Sequence, residues 1–264
     1  MVKMIAIDLD GTLLDDDKNY DKERFYALGA RLKEKGVRLV IATGNQHVKA
    51  KEFFEGLTED LIFVTDNGST IHIGEELFYS NTLDKKDFQT FLDQLPDSLM
   101  DRMVISTHGY GILSEGPHSE PFMRAVNLHY PNQKQVSDLR SIDVPIIKIT
   151  LKFEEDEEVD EKQIESILPK NWSMTSSGFG FYDIISKDIS KLTGIQKLQE
   201  KFNIDTEDIM AFGDSNNDLE LLEALPKSYA MSNGTDEVKN ASQYMIGSNN
   251  DQAVIDTIED TFDL

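Results

Sequence analysis

Nearly continuous apolar runs recur in the first 65 residues of the chain. They cover residues 4–7, 37–44 (VRLVIATG) and 61–65 (LIFVT). Runs of this kind are typical of strands that are buried on both faces of a parallel sheet. The next segment, 70–80 (TIHIGEELFYS), predicts a hairpin.

Segments with helical periodicity separate these runs. Phe25, Leu28 and Leu32 fall on one helical face, and Asp21 before them is a suitable N-cap. A second helix is predicted around residues 53–57, where two phenylalanines and a leucine cluster. Strands and helices therefore alternate with short connections. This order indicates an α/β fold with a doubly wound, mostly parallel sheet.

Residues 83–184 follow a different pattern, with short strands and helices that have one polar face. In IIKITLKF (146–153), the polar residues Lys148, Thr150 and Lys152 alternate with apolar ones. This alternation is typical of an antiparallel strand with one face in water. We therefore expect a separate α+β module here.

The α/β alternation resumes with a predicted helix at 191–202 and a strand at 208–212. The sequence thus predicts a core domain formed by residues 1–82 and 185–264, with residues 83–184 inserted into it. The acidic run FEEDEEVDEK in the insertion is interpreted as a solvated strand end and helix start.

The overall charge narrows the classes of partner. The chain has 26 Lys and Arg against 49 Asp and Glu, a net charge of −23. This charge repels nucleic acid and anionic membranes, so neither is expected as a partner. The sequence has no cysteine, which excludes disulfides and thiolate chemistry. Neither a leader nor a long apolar segment is evident, so we expect a cytoplasmic protein.

Polar residues follow four of the predicted strands. The segments are DLDGT (8–12), TGN (43–45), DNG (66–68) and GDSNND (213–218). Ligands of open parallel sheets bind at the carboxyl ends of the strands. The four segments therefore predict one functional site at this edge of the sheet.

Several carboxylates in this set need a partner of opposite charge. Carboxylates can share a small volume if a cation neutralises them or if one is protonated. Mg²⁺ is the best match, because it takes carboxylates, waters and substrate phosphates as ligands. A carboxylate can also attack phosphorus, and a neighbouring one can act as general acid and base.

These motifs resemble those of the haloacid dehalogenase (HAD) superfamily of phosphatases: DLDGT, a hydroxyl and glycine after the second strand, a later lysine, and GDSNND. The place of the insertion resembles the type IIB cap of the Cof-like branch. The segments TGNQ (43–46) and TSSGFGFYDII (175–185) are similar to bacterial sugar phosphatases of the SupH type.

The resemblance implies roles for four acidic residues. Asp8 is expected to be the nucleophile and a Mg²⁺ ligand. Asp10 is expected to be the general acid and base, with its backbone carbonyl on the metal. Asp214 is expected to be the main distal metal ligand, and Asp218 to lie in or near the metal shell.

The resemblance also implies a set of groups that bind the substrate. They are Leu9, Thr43, Gly44, Asn45, Lys191 and Asn217. Leu9 and Gly44 would act through backbone amides on phosphoryl oxygens, as in an oxyanion hole. Lys191, which fits the motif better than Lys187, would neutralise the phosphate. Asn45 stands where the common Cof pattern has arginine.

The expected function is a Mg²⁺-dependent phosphomonoesterase that hydrolyses small phosphorylated sugars through an aspartyl-phosphate. A phosphotransferase or mutase acting on the same substrates is an alternative. A non-catalytic phosphosugar-binding regulator is another, although it would be expected to lack Asp8 or Asp10. The glycines of Gly178–Gly180 predict either a loop that closes over the site or close strand pairing.

Overall fold

A computed structural model of the chain describes residues 1–154, 157, 159–177 and 180–264. In chain order its strands are β1 (Met4–Ile7), β2 (Arg38–Ala42), β3 (Ile62–Thr65), β4 (Thr70–Ile73), β5 (Glu76–Ser80), β6 (Met103–Ser106), β7 (Gly111–Ser114), β8 (Gln133–Val136), β9 (Lys148–Lys152), β10 (Trp172–Ser176), β11 (Phe181–Ser186), β12 (Ile209–Gly213), β13 (Ser228–Met231) and β14 (Tyr244–Ile246). Its α-helices are α1 (Lys22–Glu34), α2 (His47–Ala50), α3 (Lys85–Gln94), α4 (Asp97–Met100), α5 (Glu120–His129), α6 (Glu161–Ser166), α7 (Lys191–Phe202), α8 (Leu219–Ala224), α9 (Asp236–Ala241) and α10 (Ala253–Phe262).

The larger sheet has the order β14-β13-β12-β1-β2-β3-β4-β5. Its strands are parallel from β14 to β3, and β4 and β5 form the antiparallel hairpin at one edge. Helices α1 and α10 pack on one face, and α7 and α8 pack on the other. The predicted doubly wound α/β fold is confirmed. The strand β1 lies in the middle of the sheet, so the residues that follow it reach the centre of the carboxyl edge.

The first helix shows why the sequence folds as predicted. The side chain of Asp21 accepts a hydrogen bond from the backbone N–H of Arg24, which satisfies one of the free donors at the helix start. Phe25, Leu28 and Leu32 are buried against the sheet. Their removal from water supplies the main driving force for docking this helix.

The smaller sheet has the order β10-β11-β9-β6-β7-β8 and is formed by residues 103–186. It has its own buried cluster, to which α3 contributes Phe88, Phe91 and Leu92. Strand β11 continues to Ser186, two residues beyond the predicted domain boundary. The division into a core and an inserted cap stays a prediction, which these two sheets support.

One local prediction is wrong, and a second is right only in part. Lys148 and Thr150 in β9 are buried, with 3% and 1% of their surfaces exposed, because this strand faces the carboxyl edge of the larger sheet instead of water. The predicted helix with Phe53, Phe54 and Leu57 is present in part: α2 continues directly as a 3-10 helix at Lys51–Phe54, but the chain turns at Gly56, with φ +88°, before Leu57. This left-handed backbone favours glycine and stops the helix before Leu57.

Two further predictions lie partly outside the described residues. They concern the acidic run 153–162 and the loop Gly178–Gly180, whose Gly178 and Phe179 belong to the gap. No helix in the part of the chain that the structure describes is long and apolar enough to cross a membrane.

Candidate active site

Three of the predicted acidic residues converge at the centre of the larger sheet. Strands β1 and β12 are parallel neighbours, with Ile7 opposite Phe212, so the loops that follow them are adjacent. One carboxylate oxygen from each of Asp8, Asp214 and Asp218 lies within 4.8 Å of the others. The predicted convergence of distant carboxylates is therefore present in the structure.

Lys191 connects two of these acids. It is the first residue of α7 and is fully buried. Its Nζ donates to Asp8 Oδ1 at 2.6 Å and to Asp218 Oδ1 at 2.7 Å. Lys187, the other lysine considered, is exposed on the surface. The preference for Lys191 over Lys187 agrees with this geometry.

The start of α7 can reach the site because glycine permits close packing. A Cβ on Gly68, which has φ +98°, would lie 2.1 Å from the backbone oxygen of Ser190. A Cβ on Gly194 would lie 2.5 Å from Val64 Cγ1. Larger residues at either position would push the helix, and with it Lys191, away from the sheet.

The cluster has more negative than positive charge. Burial raises the pKa of Asp8 well above its usual range, and the attraction of Lys191 opposes this only in part. Burial, with repulsion from Asp218, raises the pKa of Asp214 to about 7. The pKa of Lys191 is raised, because the pull of the two acids it contacts outweighs its own burial. An additional cation would relieve this repulsion.

The donor set fits a hard divalent cation. Oδ1 of Asp214 accepts from Thr12 Oγ1 at 3.0 Å, and a Cβ on Gly11 would lie 2.5 Å from its Oδ2. Glycine at this position therefore keeps space open beside that oxygen. Asp218 also fixes the loop that follows β12, since its Oδ2 accepts hydrogen bonds from the backbone N–H groups of Asp214 and Ser215. Asp8, Asp214 and Asp218 together could hold such an ion through oxygen alone.

The side chain of Asp10 points away from this cluster. Its Oδ1 accepts from Lys18 Nζ at 2.8 Å and its Oδ2 from Asn45 Nδ2 at 2.6 Å. Burial tends to raise the pKa of Asp10, but the charge and hydrogen bond of Lys18, together with Asn45, lower it overall. Asp10 is thus ionised at neutral pH. Its contact with a metal through the backbone carbonyl stays a prediction.

A pocket opens beside these groups. Predicted residues that line it are Asp8, Asp10, Thr43, Gly44, Asn45 and Asn217. Leu9 does not line it, because its side chain is buried in the core and its backbone amide alone could serve a substrate. The Nδ2 of Asn217 donates to Asn67 Oδ1 at 2.9 Å, so its amide is oriented toward Asn67.

Sequence reasoning missed the opposite side of the pocket, which we call the cap wall. It consists of His129, Lys148, Thr150, Ser177, Phe181 and Asp183. Lys148 Nζ donates to the backbone oxygen of Gly44 at 2.6 Å and to Asp183 Oδ2 at 3.2 Å. Asn67 Nδ2 donates to the same Asp183 oxygen at 2.7 Å. These contacts join the smaller sheet to the larger one.

A signal for the cap wall was present in the sequence. Lys148 and Asp183 each interrupt a strand that is otherwise rich in apolar residues. The alternation around Lys148 predicts a solvent-facing side chain, although two opposite charges in neighbouring strands also fit a buried pair. Lys18, which contacts Asp10, was missed as well, and its turn at residues 15–19 gives no comparable signal.

Comparisons with known proteins identify the family of the chain. A family described as haloacid dehalogenase-like hydrolase matches residues 5–258. The crystal structure of SMU.1108c from Streptococcus mutans UA159 is 30% identical, with a TM-score of 0.92 over 100% of both chains. YbjI of Escherichia coli K12, named a 5-amino-6-(5-phospho-D-ribitylamino)uracil phosphatase, is 29% identical over 98% of this chain and 95% of its own length.

The fold also matches the HAD subclass IIB sugar phosphatase BT4131. The two share 21% identity and a TM-score of 0.84 over 100% of both chains. At this identity the likeness concerns the fold alone. It shows that the two proteins have the same fold.

Proposed function

Because the chain belongs to the haloacid dehalogenase-like hydrolase family and is a phosphatase, we propose that it hydrolyses small phosphorylated sugars with the help of Mg²⁺. The observation that carries the proposal is the position of Asp8. This carboxylate lies in a pocket beside Asp10, contacts Lys191, and is close to Asp214 and Asp218.

We assign Asp8 as the nucleophile. Lys191 donates to its Oδ1, which orients the side chain and favours the ionised form. The other oxygen, Oδ2, would attack phosphorus in line with the leaving oxygen and form an aspartyl-phosphate. Mg²⁺ held by Asp8, Asp214 and Asp218 would neutralise part of the charge on the phosphoryl group.

We assign Asp10 as the general acid and base. Its low pKa makes it a base at rest, which suits the activation of water in the second step. In the first step it must give a proton to the leaving oxygen. A phosphate dianion that binds nearby would favour the protonated form of Asp10, so substrate binding itself would prepare the acid.

The remaining predicted groups would bind phosphoryl oxygens. They are the Thr43 hydroxyl, the Asn217 amide, and the backbone N–H groups of Leu9, Asp10 and Gly44. A Cβ at Gly44 would lie 3.1 Å from Asn67 Oδ1 and 3.5 Å from Asp183 Oδ2. Glycine there leaves room for the phosphate between the two sheets.

The proposed substrate class rests on two observations. The name of YbjI describes a phosphate on a ribityl chain, which has several hydroxyl groups. The cap wall offers Lys148, Thr150, Ser177 and Asp183, which are suitable partners for hydroxyls. We propose that residues 83–184 form a cap whose closure excludes water from the reacting phosphate.

A panel assay tests the proposal. Phosphorylated sugars and the ribitylaminouracil phosphate are offered with Mg²⁺ or with a chelator. We expect turnover of at least one sugar phosphate with Mg²⁺ and its loss on chelation. Turnover that continues undiminished in chelator would contradict the metal assignment. Absence of turnover across the panel would contradict the substrate class.

Phosphoryl transfer to a second sugar is the alternative to hydrolysis. The two are distinguished in water enriched in ¹⁸O. Hydrolysis places the heavy oxygen in free phosphate, whereas transfer yields a new unlabelled phosphate ester. Acid quenching after mixing with ³²P-labelled substrate should leave label on the protein through Asp8.

A further inference from the structure

A chain of two hydrogen bonds connects Asp10 to the cap wall. Asp10 Oδ2 accepts from Asn45 Nδ2 at 2.6 Å, and Asn45 Oδ1 lies 3.0 Å from His129 Nδ1. Asn45 follows β2 of the larger sheet, whereas His129 is the last residue of α5. The expected general acid is thus linked to a histidine from the opposite side of the pocket.

The direction of these bonds follows from chemistry. Asn45 Nδ2 donates to Asp10 Oδ2, while the other oxygen of Asp10 accepts from Lys18 Nζ. Asn45 must therefore turn its NH₂ group toward Asp10 and its oxygen toward His129. Because that oxygen can only accept, Nδ1 of His129 must carry the hydrogen.

The other ring nitrogen of His129 is then an acceptor. Burial lowers the pKa of His129 to about 4, so the imidazole is neutral near pH 7. A neutral ring with its proton on Nδ1 has a lone pair on Nε2. Among the described residues, none donates a hydrogen bond to Nε2.

The position of the ring is fixed by packing. His129 and Phe181 meet edge to face, with ring centroids 4.8 Å apart and planes at 69°. His129 also lines the pocket that contains Asp8 and Asp10. The acceptor is therefore held at the place where the leaving group of a phosphate ester would lie.

We infer that His129 is a specificity residue whose Nε2 accepts a hydrogen bond from a hydroxyl of the leaving group near the ester oxygen. This inference rests on the proposed function and goes further, because it names the group that is recognised. Esters with a hydroxyl close to the phosphate are favoured over their deoxy counterparts. A deoxy ester that covers the half-buried ring leaves Nε2 without a donor, which costs free energy.

The test compares glycerol 1-phosphate, 2-hydroxypropyl phosphate and propyl phosphate, which lose one hydroxyl at a time. The wild-type enzyme should have a kcat/KM about tenfold higher for at least one hydroxylated ester than for propyl phosphate, as expected for one hydrogen bond. His129→Leu should bring this ratio close to one. His129→Gln should keep part of it, because an amide oxygen can still accept.

Arg124→Leu is the matched control, since Arg124 lies on the same helix with its side chain 70% exposed. For this variant, the ratio of kcat/KM between the hydroxylated ester and propyl phosphate should equal that of the wild type. A wild-type ratio near one, or a ratio that His129→Leu leaves unchanged, overturns the inference while hydrolysis itself stands. Failure of the wild type to hydrolyse any phosphate ester overturns the proposed function as well.

A second measurement does not depend on activity. Nitrogen-15 NMR of the histidine rings reports which nitrogen carries the proton. We expect His129 to be protonated on Nδ1, with its signal assigned by comparison with His129→Gln. Protonation on Nε2 in the wild type would overturn the inference.

Discussion

Two buried lysines have different surroundings: Lys148 lines the pocket, whereas Lys191 does not line it but contacts Asp8, which does. Lys191 in the core contacts the carboxylates of Asp8 and Asp218, with Asp214 nearby. Lys148 in the cap wall contacts one carboxylate, Asp183, and the backbone oxygen of Gly44. Burial opposes the charge of both lysines, but the carboxylates raise the pKa of each.

This difference in charge indicates which ligands the core cluster and the cap wall can each bind. The core cluster has three carboxylates for one ammonium, so it attracts a cation and, through that cation, a phosphate. The pair of Lys148 and Asp183 is balanced, and Asp183 receives three further donors from Asn67, Thr150 and Ser177. A balanced, hydrogen-bonded surface suits the neutral, hydroxyl-bearing part of a substrate.

The largest expected effect concerns Asp8 in the core cluster. Asp8→Asn removes the nucleophile but keeps the shape of the side chain, so kcat should fall by about 10⁴-fold or more. Steady-state assay and trapping of ³²P on the protein measure this loss. Asp143→Asn, at a side chain that is 90% exposed, is the control and should retain full activity. Trapped label in Asp8→Asn would refute the assignment.

Replacement of Lys191 tests whether the core cluster needs its internal cation. Lys191→Met leaves Asp8 and Asp218 buried without their ammonium partner, which should lower the free energy of unfolding by about 3–5 kcal/mol. Urea denaturation with a chelator present measures the change. Lys187→Met removes an exposed lysine four residues earlier and should cost almost nothing. Equal effects of the two variants would count against the central role of Lys191.

Replacement of Asp183 tests the cap wall by comparison. Asp183→Asn removes the counter-charge of Lys148 and weakens the hydrogen bond from Asn67. We expect kcat/KM to fall by about 10- to 100-fold, mainly through KM, because losing one buried charged partner costs a few kcal/mol. Phosphorylation of Asp8 at saturating substrate should persist. Asp188→Asn, at an exposed position, is the control. Loss of Asp8 labelling would instead place Asp183 in the chemical step.

The smallest expected effect is a pH dependence of metal binding. The pKa of Asp214 in the folded protein is about 7, above its usual 3.8, so without metal the folded state binds the extra proton below pH 7. This contribution stabilises the metal-free protein as pH falls and is lost as pH rises through 7. Mg²⁺ competes with the proton. The increase in Tm caused by Mg²⁺ should therefore grow between pH 6 and pH 8, because the free energy of stabilisation by Mg²⁺ grows by at most about 1.4 kcal/mol per pH unit for one proton.

Because Tm is compared with and without Mg²⁺ at the same pH, the contributions of other titrating groups to Tm cancel. The pKa values of His47 and His72 are lowered to about 4 by burial, and this effect is present in both samples. An increase in Tm that is the same at pH 6 and pH 8 would contradict the coupling of protons and metal at Asp214.

The core of the site could be predicted because each residue directly follows a buried strand. Once the apolar runs 4–7, 37–44 and 208–212 are recognised as parallel strands, their ends must share one edge of the sheet. The convergence of Asp8 with Asp214 agrees with that expectation. Leu9 and Asp10 are less well described by sequence, because only the backbone of Leu9 could serve a substrate and the side chain of Asp10 contacts Lys18.

The cap wall could not be predicted in the same way. Lys148 and Asp183 lie within strands of a sheet whose polar face resembles any solvent-exposed face in sequence. Their burial results from contacts with Gly44 and Asn67, more than 100 residues away in the chain. The predicted helix with Phe53 and Phe54 also ends before Leu57, because Gly56 with its positive φ outweighs the helical spacing of the apolar side chains.

The sequence by itself determined the α/β alternation, the family motifs and the acidic edge of the larger sheet, since these depend on local periodicity and on residues adjacent to strand ends. The tertiary structure alone decided which side chains face that edge from the smaller sheet. It also decided how Asn45 connects Asp10 to His129. The physical reason is that burial and hydrogen-bond direction depend on surfaces brought together across two sheets, and no local pattern encodes their relative position.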